Sequence, residues 1–289
     1  MKLCLKCGNP FEFEGWTCPH CGFTPKCEGN CVVLLDDHQQ VPAGYDVAFF
    51  PELAKLEDSN FWFRSRTRLI TWALHKYFPG ARTFLEVGCG TGCVLAGVAA
   101  AFPDLDLYAS EPFSEGLRFA QQRVKKAAFL QIDARAIPYV DEFDVIGAFD
   151  VLEHIAEDQD VLGQLHRAIA PGGGLLLTVP QHDFLWSRQD NEAGHVRRYQ
   201  AEDLRNKVVR AGFRMRRMTS FVSSLLPAML VSRILKQRDS AHFDALDELR
   251  IGTGLNGVLE IVLGLERALI RAGVSLPAGG SLLAVAEKV

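Results

Sequence analysis

Apolar residues in the middle of the chain form short runs, which are separated by segments with helical spacing. Five runs predict buried strands: Thr83–Glu86, Leu105–Ser110, Ala127–Ile132, Phe143–Phe149 and Leu175–Val179. The helical segments Val94–Phe102 and Asp158–Ala170 lie between successive runs. Because strands alternate with helices, the pattern predicts an α/β fold with a parallel sheet covered on both faces.

Further elements are predicted on either side of this core. The segments Phe49–Asp58 and Phe61–Phe78 have helical spacing, and Phe213–Ser220 and Gly280–Lys288 resemble strands. A long insertion separates those two strands, and its helix Gly254–Ala272 carries an apolar stripe. The stripe favours core or dimer packing, while a hydrophobic lid over a lipid-like acceptor is the alternative.

The composition is that of an ordinary globular protein. The 289 residues are 48% hydrophobic and 23% charged, with a net charge of −4. This charge gives no general attraction to nucleic acid or to an anionic membrane. The N-terminus has no apolar signal core, which predicts a cytoplasmic protein, and no apolar run is long enough to span a membrane.

A glycine-rich loop follows the first predicted strand. Gly88, Gly90 and Gly92 let the backbone turn sharply and leave no side chains between the loop and a ligand. The helix after the loop directs free N–H groups at the same place. The spacing G-x-G-x-G differs by one position from the dinucleotide fingerprint, and Glu86 precedes it within the strand.

Acidic residues occupy the carboxyl ends of four successive strands. Glu86 ends the first strand, Glu111 the second, Asp133 the third and Asp150 the fourth. The carboxyl ends of parallel strands meet along one edge of the sheet, where open α/β sheets bind ligands. A carboxylate at such an edge can accept charge-assisted hydrogen bonds from the hydroxyls of a ribose.

This ordered set of motifs resembles the class I S-adenosylmethionine-dependent methyltransferases from about Thr83 to Pro180, including the turn Pro171-Gly172-Gly173. The resemblance implies a seven-stranded, mostly parallel Rossmann-like sheet with an antiparallel last strand, and S-adenosylmethionine as cofactor. It implies that Glu111 meets the ribose and Asp133 the adenine amino group. The implied cofactor residues are Arg66, Glu86, Gly88, Cys89, Gly90, Gly92, Glu111, Pro112, Asp133, Ala134, Asp150 and Val151. A nucleotide-binding α/β domain of another type, such as an NAD enzyme, is the alternative.

Aromatic residues cluster beside two arginines in the segment Phe61-Trp62-Phe63-Arg64-Ser65-Arg66. One interpretation is a packed helix with solvated arginines. Methyltransferases of the resembled type often close their pocket with an N-terminal helix, so the other interpretation is a cap with Arg66 near the cofactor carboxylate. The second interpretation places Trp62 beside the acceptor.

The segment from Gln181 to Tyr199 follows the fifth strand and is rich in reactive groups. Its Gly-His-x-Arg-Arg-Tyr sequence resembles a segment of small-molecule and quinone-type methyltransferases. His195 is the predicted base for an acceptor proton, and His154 is the competing candidate, because a free imidazole titrates near working pH. Arg198 and Tyr199 are predicted to contact the acceptor. A hydrogen-bonding role without proton transfer is the alternative for either histidine.

The only strongly basic stretch is residues 197–217, which hold eight arginines and lysines against two acidic residues. A solvated helix and strand face is the simpler interpretation. Binding of an anionic substrate or an anionic lipid surface is the functional one.

Two C-x-x-C motifs near the N-terminus predict a structural metal site. The ligands would be Cys4, Cys7, Cys18 and Cys21, which resemble a zinc ribbon and predict Zn²⁺, with iron in a rubredoxin-like site as the alternative. Cys27 and Cys31 are either spare thiols or part of an incomplete second site. Residues 1–44 carry three lysines against five acidic residues, which favours a docking or lid role over nucleic-acid binding.

These predictions combine into one organisation. Residues 1–35 form the zinc ribbon, 36–80 a linker and cap helices, and 81–289 the methyltransferase domain, with a helical insertion at about 222–279. The predicted reaction transfers a methyl group to an oxygen, nitrogen or carbon atom of a small-molecule acceptor. An RNA methyltransferase that docks through the ribbon and a non-catalytic cofactor-binding adapter are the alternatives. Homodimerisation and peripheral membrane contact are left open.

Overall fold

The structure, a computed structural model, describes residues 1–12, 15–35, 46–236 and 249–289. The predicted linker at Asp36–Gly44 lies outside the described residues, as does part of the predicted insertion.

The described residues contain eleven strands and nine α-helices. The strands are β1 (Lys2–Leu3), β2 (Pro10–Phe11), β3 (Cys27–Glu28), β4 (Cys31–Val33), β5 (Thr83–Val87), β6 (Asp106–Ser110), β7 (Ala128–Gln131), β8 (Phe143–Phe149), β9 (Ile169–Pro180), β10 (Phe213–Phe221) and β11 (Ser281–Lys288). The helices are α1 (Phe49–Leu56), α2 (Phe61–Tyr77), α3 (Cys93–Ala101), α4 (Ser114–Arg123), α5 (Asp158–Ala168), α6 (Arg188–Glu192), α7 (Ala201–Arg210), α8 (Leu226–Lys236) and α9 (Thr253–Arg271).

The main sheet has the strand order β10-β11-β9-β8-β5-β6-β7-β4-β3. Strand β5 pairs in parallel with both β6 and β8, so the chain order reverses beside it. Strand β11 is antiparallel to β9, and β10 is antiparallel to β11. The predicted mostly parallel sheet with an antiparallel last strand is therefore confirmed. The reversal at β5 opens a crevice at the carboxyl ends of the parallel strands.

Helices cover both faces of this sheet, as the alternating pattern predicts. Phe84 and Leu85 are adjacent on β5 and point to opposite faces, so each belongs to a different hydrophobic core. Leu74 of α2 packs in the core on the Phe84 side, and Leu162 of α5 packs in the core on the Leu85 side. Both faces of the sheet are buried, which explains why the parallel strands are continuous apolar runs.

The N-terminal module extends the main sheet. Strand β4 pairs in parallel with β7, with Cys31 opposite Phe129, and β3 is the edge strand beyond it. The Leu34 amide donates to the Gln131 carbonyl at 2.9 Å, and Leu34 is buried in a core of the main domain. The predicted ribbon at residues 1–35 is thus continuous with the larger sheet from Cys27 onward. Cys27 and Cys31 are strand residues on this edge.

The apolar stripe of helix α9 is buried on one side and exposed on the other. Leu263 and Ile270 are buried against the rest of the fold, which accounts for one side of the apolar stripe. The other side is exposed and consists of Leu255, Val258, Ile261, Leu265 and Leu269. The expected homodimer stays a prediction. Within the described ranges, no helix combines the length and apolar character needed to cross a bilayer.

Candidate active site

A cavity of about 540 Å³ lies at the carboxyl ends of strands β5 to β9. Its wall includes every predicted cofactor residue except Gly92. The cavity continues past the glycine loop to the segment between β9 and α7, where it meets His154, His195 and Arg198. One space therefore connects the residues predicted to hold a cofactor with those predicted to hold an acceptor.

The glycine loop follows the backbone rules that its sequence suggested. Gly88 has φ +71°, and a Cβ there would lie 2.5 Å from Val151 Cγ2, so only glycine fits. The Gly90 amide donates to Glu111 Oε2 at 3.0 Å, which fixes the loop against β6. Gly92 has φ +80°, precedes α3 and lies against Ala120, away from the cavity. Gly92 therefore shapes the turn, and its predicted ligand contact stays a prediction.

Glu86 and Glu111 are buried acidic residues of the cavity wall, and burial changes their proton affinity. Burial raises the pKa of Glu86 to about 8, and Glu86 Oε2 has no hydrogen-bond partner among the described residues. Burial also raises the pKa of Glu111 to about 7, although the amides of Gly90 and Phe113 oppose the rise. The amino group of a ligand would supply the partner that Glu86 lacks.

Asp133 lies two residues after the end of β7 and lines the cavity. It is buried and accepts from the backbone amide and the guanidinium of Arg135. These bonds orient the carboxylate at the position where the resemblance expects the adenine amino group. Asp133 and Glu111 thus flank one end of the cavity.

Asp150 sits in a strained turn directly after β8. Its φ of +57° lies in the left-handed region, which non-glycine residues adopt mainly where the surroundings impose it. Its amide donates to the Thr178 carbonyl, and its carboxylate forms an ion pair with Arg66. The Arg66 guanidinium also stacks on Trp62 at 4.5 Å. The start of α2 therefore lines the cavity, and its role as a cap stays a prediction.

Helix α1 adds residues that sequence reasoning missed. Glu57 follows this helix, accepts from the Thr91 hydroxyl of the glycine loop and pairs with Arg123 at 2.9 Å. Burial raises the Glu57 pKa. Phe50 lines the cavity on the same helix. A glutamate at a helix end usually faces solvent, so the sequence carried no signal for this contact.

The acceptor side of the cavity has an apolar wall and a polar floor. The wall is formed by Phe61, Trp62, Val222, Leu225, Met229 and Leu249. The floor includes Glu153, His154, His195 and Arg198. An apolar cavity with a few converging polar groups is the usual form of a small-molecule site.

Asp190 organises the segment that holds His195. Its carboxylate accepts from His195 Nδ1 at 2.9 Å, from Arg198 Nε at 2.8 Å and from the Ser187 amide. Burial acts to raise the Asp190 pKa, but the bond from His195 and the charge of Arg198 lower it to about 2. Because an ionised carboxylate only accepts, His195 Nδ1 is the donor and Nε2 is the atom left for other partners.

The two remaining predicted residues of this region have different outcomes. His154 lines the cavity, and its ring meets that of His195 edge to face at 4.7 Å. Burial and the neighbouring His195 lower the His154 pKa to about 4. Tyr199 is buried in the core, and its hydroxyl donates to Asp158 at 2.7 Å. Tyr199 does not line the cavity, and its predicted acceptor contact stays a prediction.

Glu153 is the most conspicuous residue that sequence reasoning passed over. Its side chain is fully buried, lines the cavity and has both oxygens without a hydrogen-bond partner among the described residues. Burial raises its pKa well above the usual range. Ligand atoms of Glu153, His154 and His195 all lie within 4.8 Å of one another. The position of Glu153 next to His154, shortly after a strand end, was the sequence signal that could have identified it.

The basic stretch at residues 197–217 is largely paired within the fold. Arg197 and Lys207 form ion pairs with Asp158, and Arg214 and Arg216 pair with Glu287. Arg198 pairs with Asp190. These pairs favour the structural interpretation of the stretch over a free anion-binding surface.

The four predicted metal ligands converge in the N-terminal module. The sulfurs of Cys4 and Cys21 are 3.6 Å apart, those of Cys7 and Cys18 are 3.7 Å apart, and all four lie within 4.8 Å of one another. A tetrahedral zinc with Zn–S bonds of about 2.3 Å holds its sulfurs about 3.8 Å apart. The cluster therefore fits a closed zinc site.

Comparison with known proteins agrees with this geometry. Residues 56–217, more than half of the chain, match a family model described as a methyltransferase domain. Trans-aconitate 2-methyltransferase of Azoarcus sp. is 28% identical over 102 residues, which is 35% of this chain and only 40% of that enzyme. A probable S-adenosylmethionine-dependent methyltransferase of Mycolicibacterium smegmatis is 23% identical over 184 residues, 62% of this chain and 69% of that protein.

A solved structure shares the fold. It is a chain of the complex between the Trm112 methyltransferase activator and a methyltransferase from Haloferax volcanii. The TM-score is 0.55 at 16% identity, covering 86% of this chain and 97% of that chain.

Proposed function

Because the chain belongs to the methyltransferase domain family and is an S-adenosylmethionine-dependent methyltransferase, we propose that its methyl acceptor is a small molecule. The cavity carries this proposal, since it runs from the glycine loop to His195 and Arg198 under an apolar wall. A small molecule can be enclosed there, with its reacting atom close to the cofactor methyl group. The similar trans-aconitate enzyme is named for a small acceptor of this kind.

We further propose how the cofactor lies in the cavity. The backbone of Gly88 and Gly90 approaches it closely, Glu111 accepts from its ribose and Asp133 from its adenine. Its amino acid portion lies between Glu86 and Arg66. The unpartnered oxygen of Glu86 supports this orientation, because a buried carboxylate needs a donor and the cofactor has an ammonium group.

The chemistry required of the protein is chiefly positioning. Bound S-adenosylmethionine would supply an electrophilic methyl group and a neutral thioether leaving group, and the acceptor would supply the lone pair that takes the methyl group. Alignment of the two reactants can supply several kcal/mol of the rate enhancement, about 7–11 at the most favourable. His195, oriented by Asp190, faces the acceptor in this proposal, and its role as a base stays a prediction.

We propose that the four clustered cysteines hold one structural zinc. Four thiolates complete the coordination of the ion and leave no open position for chemistry. The module continues into β4, which pairs with β7, so the zinc supports the edge of the sheet that carries Asp133. Support of the sheet edge by the module fits its acidic composition better than RNA binding does.

A competition between acceptor classes tests the proposal. Purified protein would be incubated with methyl-labelled S-adenosylmethionine and either a panel of small hydroxy, amino and carboxylic acids or total RNA. We expect label in the small-molecule pool and no salt-sensitive labelling of RNA. Labelled RNA with an inactive small-molecule panel would contradict the acceptor class, and calorimetric binding of NADH instead of S-adenosylmethionine would contradict the cofactor.

A further inference from the structure

A cluster of three potential metal ligands lies on the polar floor of the cavity. It consists of Glu153, His154 and His195, whose ligand atoms lie within 4.8 Å of one another. We propose that these side chains bind a divalent cation of the manganese, iron or zinc class, which in turn holds an oxygen atom of the methyl acceptor. The acceptor part of this inference rests on the proposed function, whereas the cation site itself does not.

The state of Glu153 is the first argument. Its side chain has no solvent exposure, and neither oxygen has a hydrogen-bond partner among the described residues. Buried polar atoms in proteins nearly always have partners, because an unpaired buried group costs about 1–3 kcal/mol, and more when it is charged. A cation beside Glu153 would supply the missing partner for both oxygens.

The orientation of His195 is the second argument. Asp190 accepts from its Nδ1 at 2.9 Å, which leaves Nε2 as the atom available to an ion. Histidines that bind metals usually donate their other ring N–H to a carboxylate or a carbonyl, which fixes the ring and strengthens the ligand. Asp190 is itself held by Arg198 and Ser187, so the ring is oriented before any ion arrives.

The arrangement of the ligands in the fold is the third argument. Glu153 and His154 belong to the short 3₁₀ helix Leu152–His154 after β8, and His195 comes from the segment after α6. The Val196 amide donates to the Glu153 carbonyl at 2.8 Å, so the two segments are tied together beside the ligands. The ligand set is thus assembled on a fixed backbone that borders the cavity.

The donor atoms define the class of ion. One carboxylate and two imidazoles form a set that suits zinc, iron and manganese and leaves positions open for a substrate. The four thiolates of the N-terminal module form a soft, closed set with no open position. The two sites therefore differ in the ions that they prefer, and manganese separates them because thiolates bind it weakly.

A cation at this place would act on an acceptor hydroxyl. Coordination of the oxygen would lower its pKa, so the O–H proton would pass to solvent water and a lone pair would become available. The oxygen then attacks the sulfonium methyl, a carbon–oxygen bond forms, the carbon–sulfur bond breaks and neutral thioether leaves. The cation is unchanged, and no oxidant or reductant is needed.

Manganese binding tests the site directly. Protein carrying one equivalent of zinc per chain, which the four thiolates take up in preference, would be titrated with Mn²⁺, and the free ion would be followed by electron paramagnetic resonance. We expect one Mn²⁺ per chain, bound at least about tenfold more weakly by Glu153→Gln, the lower bound known for loss of a supporting group around a metal. Glu157→Gln is the matched control, because Glu157 is exposed and absent from the cavity wall, and it should bind Mn²⁺ as the wild type does.

A second variant guards against misfolding of the first. His154→Ala/His195→Ala should bind Mn²⁺ at least about tenfold more weakly while S-adenosylmethionine binding, measured by calorimetry, stays within about twofold. His166→Ala is its control, since His166 packs on Phe213 and does not line the cavity. Equal Mn²⁺ affinity in wild type and both variants would overturn the cation site, as would wild-type protein that binds no Mn²⁺.

The outcomes separate this inference from the proposed function. Undiminished methyl transfer by protein stripped of Mn²⁺ and of any chelatable ion would overturn the cation's role and leave the methyltransferase proposal intact. Failure of S-adenosylmethionine to bind would overturn the proposed function, and the Mn²⁺ titration would still decide the site.

Discussion

At the scale of single residues, burial decides what the acidic groups around the cavity can do. Glu111 ends a strand like an ordinary surface carboxylate, but burial raises its pKa to about 7, and backbone amides of Gly90 and Phe113 hold it in place. Asp190 experiences the opposite balance, because His195 and Arg198 lower its pKa to about 2 in spite of burial. The balance between burial and charged partners therefore sets the proton affinity of each buried carboxyl group.

Substitution of Glu111 tests the cofactor site. Glu111→Ala should weaken S-adenosylmethionine binding by roughly 1.5–3 kcal/mol, the size of a hydrogen bond to a charged group, or about ten- to a hundredfold. Calorimetry measures the change. Glu202→Ala, an exposed position on α7, should bind normally. An unchanged affinity in Glu111→Ala would show that the ribose lies elsewhere.

Substitution of His195 tests the acceptor side. His195→Ala should lower turnover by about a hundredfold or more, whether the imidazole acts as a base or as a ligand, and leave cofactor affinity unchanged. His154→Ala should cause the same loss if His154 is the active group. Steady-state rates and calorimetry on each variant would separate the two. Collapse of cofactor binding in the His195 variant would instead assign this segment to the cofactor site.

At the scale of elements, the turns after β5 and β8 share one close contact. The glycine loop meets the turn at Val151, where a Cβ on Gly88 would lie 2.5 Å from Val151 Cγ2. Helix α1 closes the same loop through Glu57 and Thr91. The cofactor side of the cavity is thus shaped by backbone approach, which tolerates little change.

Gly88→Ala tests the close approach of the glycine loop to Val151. It should abolish measurable cofactor binding and lower the free energy of unfolding, because its φ of +71° disfavours alanine and the methyl group overlaps Val151. Gly163→Ala is the matched control on α5, where nothing lies within 4 Å of the added Cβ. It should bind normally and gain about 0.5–1 kcal/mol of helix stability. Urea unfolding and calorimetry check both, and normal binding by Gly88→Ala would contradict the assignment.

A charged network joins the start of α5 to α7 and to the segment before it. Asp158 accepts from Tyr199 and Lys207 and pairs with Arg197. Burial acts to raise the Asp158 pKa, but these three partners lower it below its ordinary value. A carboxyl group with a lowered folded-state pKa stabilises the fold above its unfolded pKa of about 3.9, and this contribution is lost as the pH falls through the folded value.

Tyr199→Phe tests the network through its pH dependence. At pH 7 the variant should lose about 1.5–3 kcal/mol of unfolding free energy, because the hydroxyl bonds an ionised carboxylate. Below the folded-state pKa of Asp158 the difference from wild type should shrink. Urea unfolding over a pH series measures it. A difference that does not depend on pH would mean that packing, and not the charge of Asp158, accounts for the loss.

At the scale of the whole molecule, the N-terminal module is a structural part of the main sheet. Strand β4 extends the edge at β7, Leu34 enters a main core, and the Leu3 amide bonds the Pro138 carbonyl. Loss of zinc should therefore be felt beyond the module, at the edge that carries Asp133. The sequence predicted a zinc ribbon at residues 1–35 and carried no signal that its last strand pairs with the main sheet.

Removal of one zinc ligand tests this coupling. Cys4→Ser should lower bound zinc by one ion per chain, because an incomplete thiolate set no longer closes the site. Hydrogen exchange should then speed up in β1 to β4 and in β7. Cys27→Ser is the control, since Cys27 is exposed and outside the cluster. Elemental analysis and exchange measurements decide, and normal zinc content in Cys4→Ser would rule out these ligands.

The sequence by itself determined the order of elements and the edge of the sheet where the cavity lies. Glycine spacing, strand periodicity and acidic residues at strand ends are local signals, because backbone freedom and burial pattern depend on residues close in the chain. For this reason Gly88, Glu111 and Asp133 could be placed at one edge of the sheet. The cysteine pairs were equally local, since each C-x-x-C motif already fits one side of a metal.

Only the tertiary structure decided which polar groups share the interior. Glu57 accepts from Thr91 on a distant segment, and Glu153 lies close to His195, to which no spacing rule connects it. The bridge between Gln181 and Tyr199 fixes the direction of the Tyr199 side chain. Strand β4 joins β7 because an open sheet edge can pair with any strand that reaches it. Long-range packing sets both burial and charge, and these determine what each side chain can do.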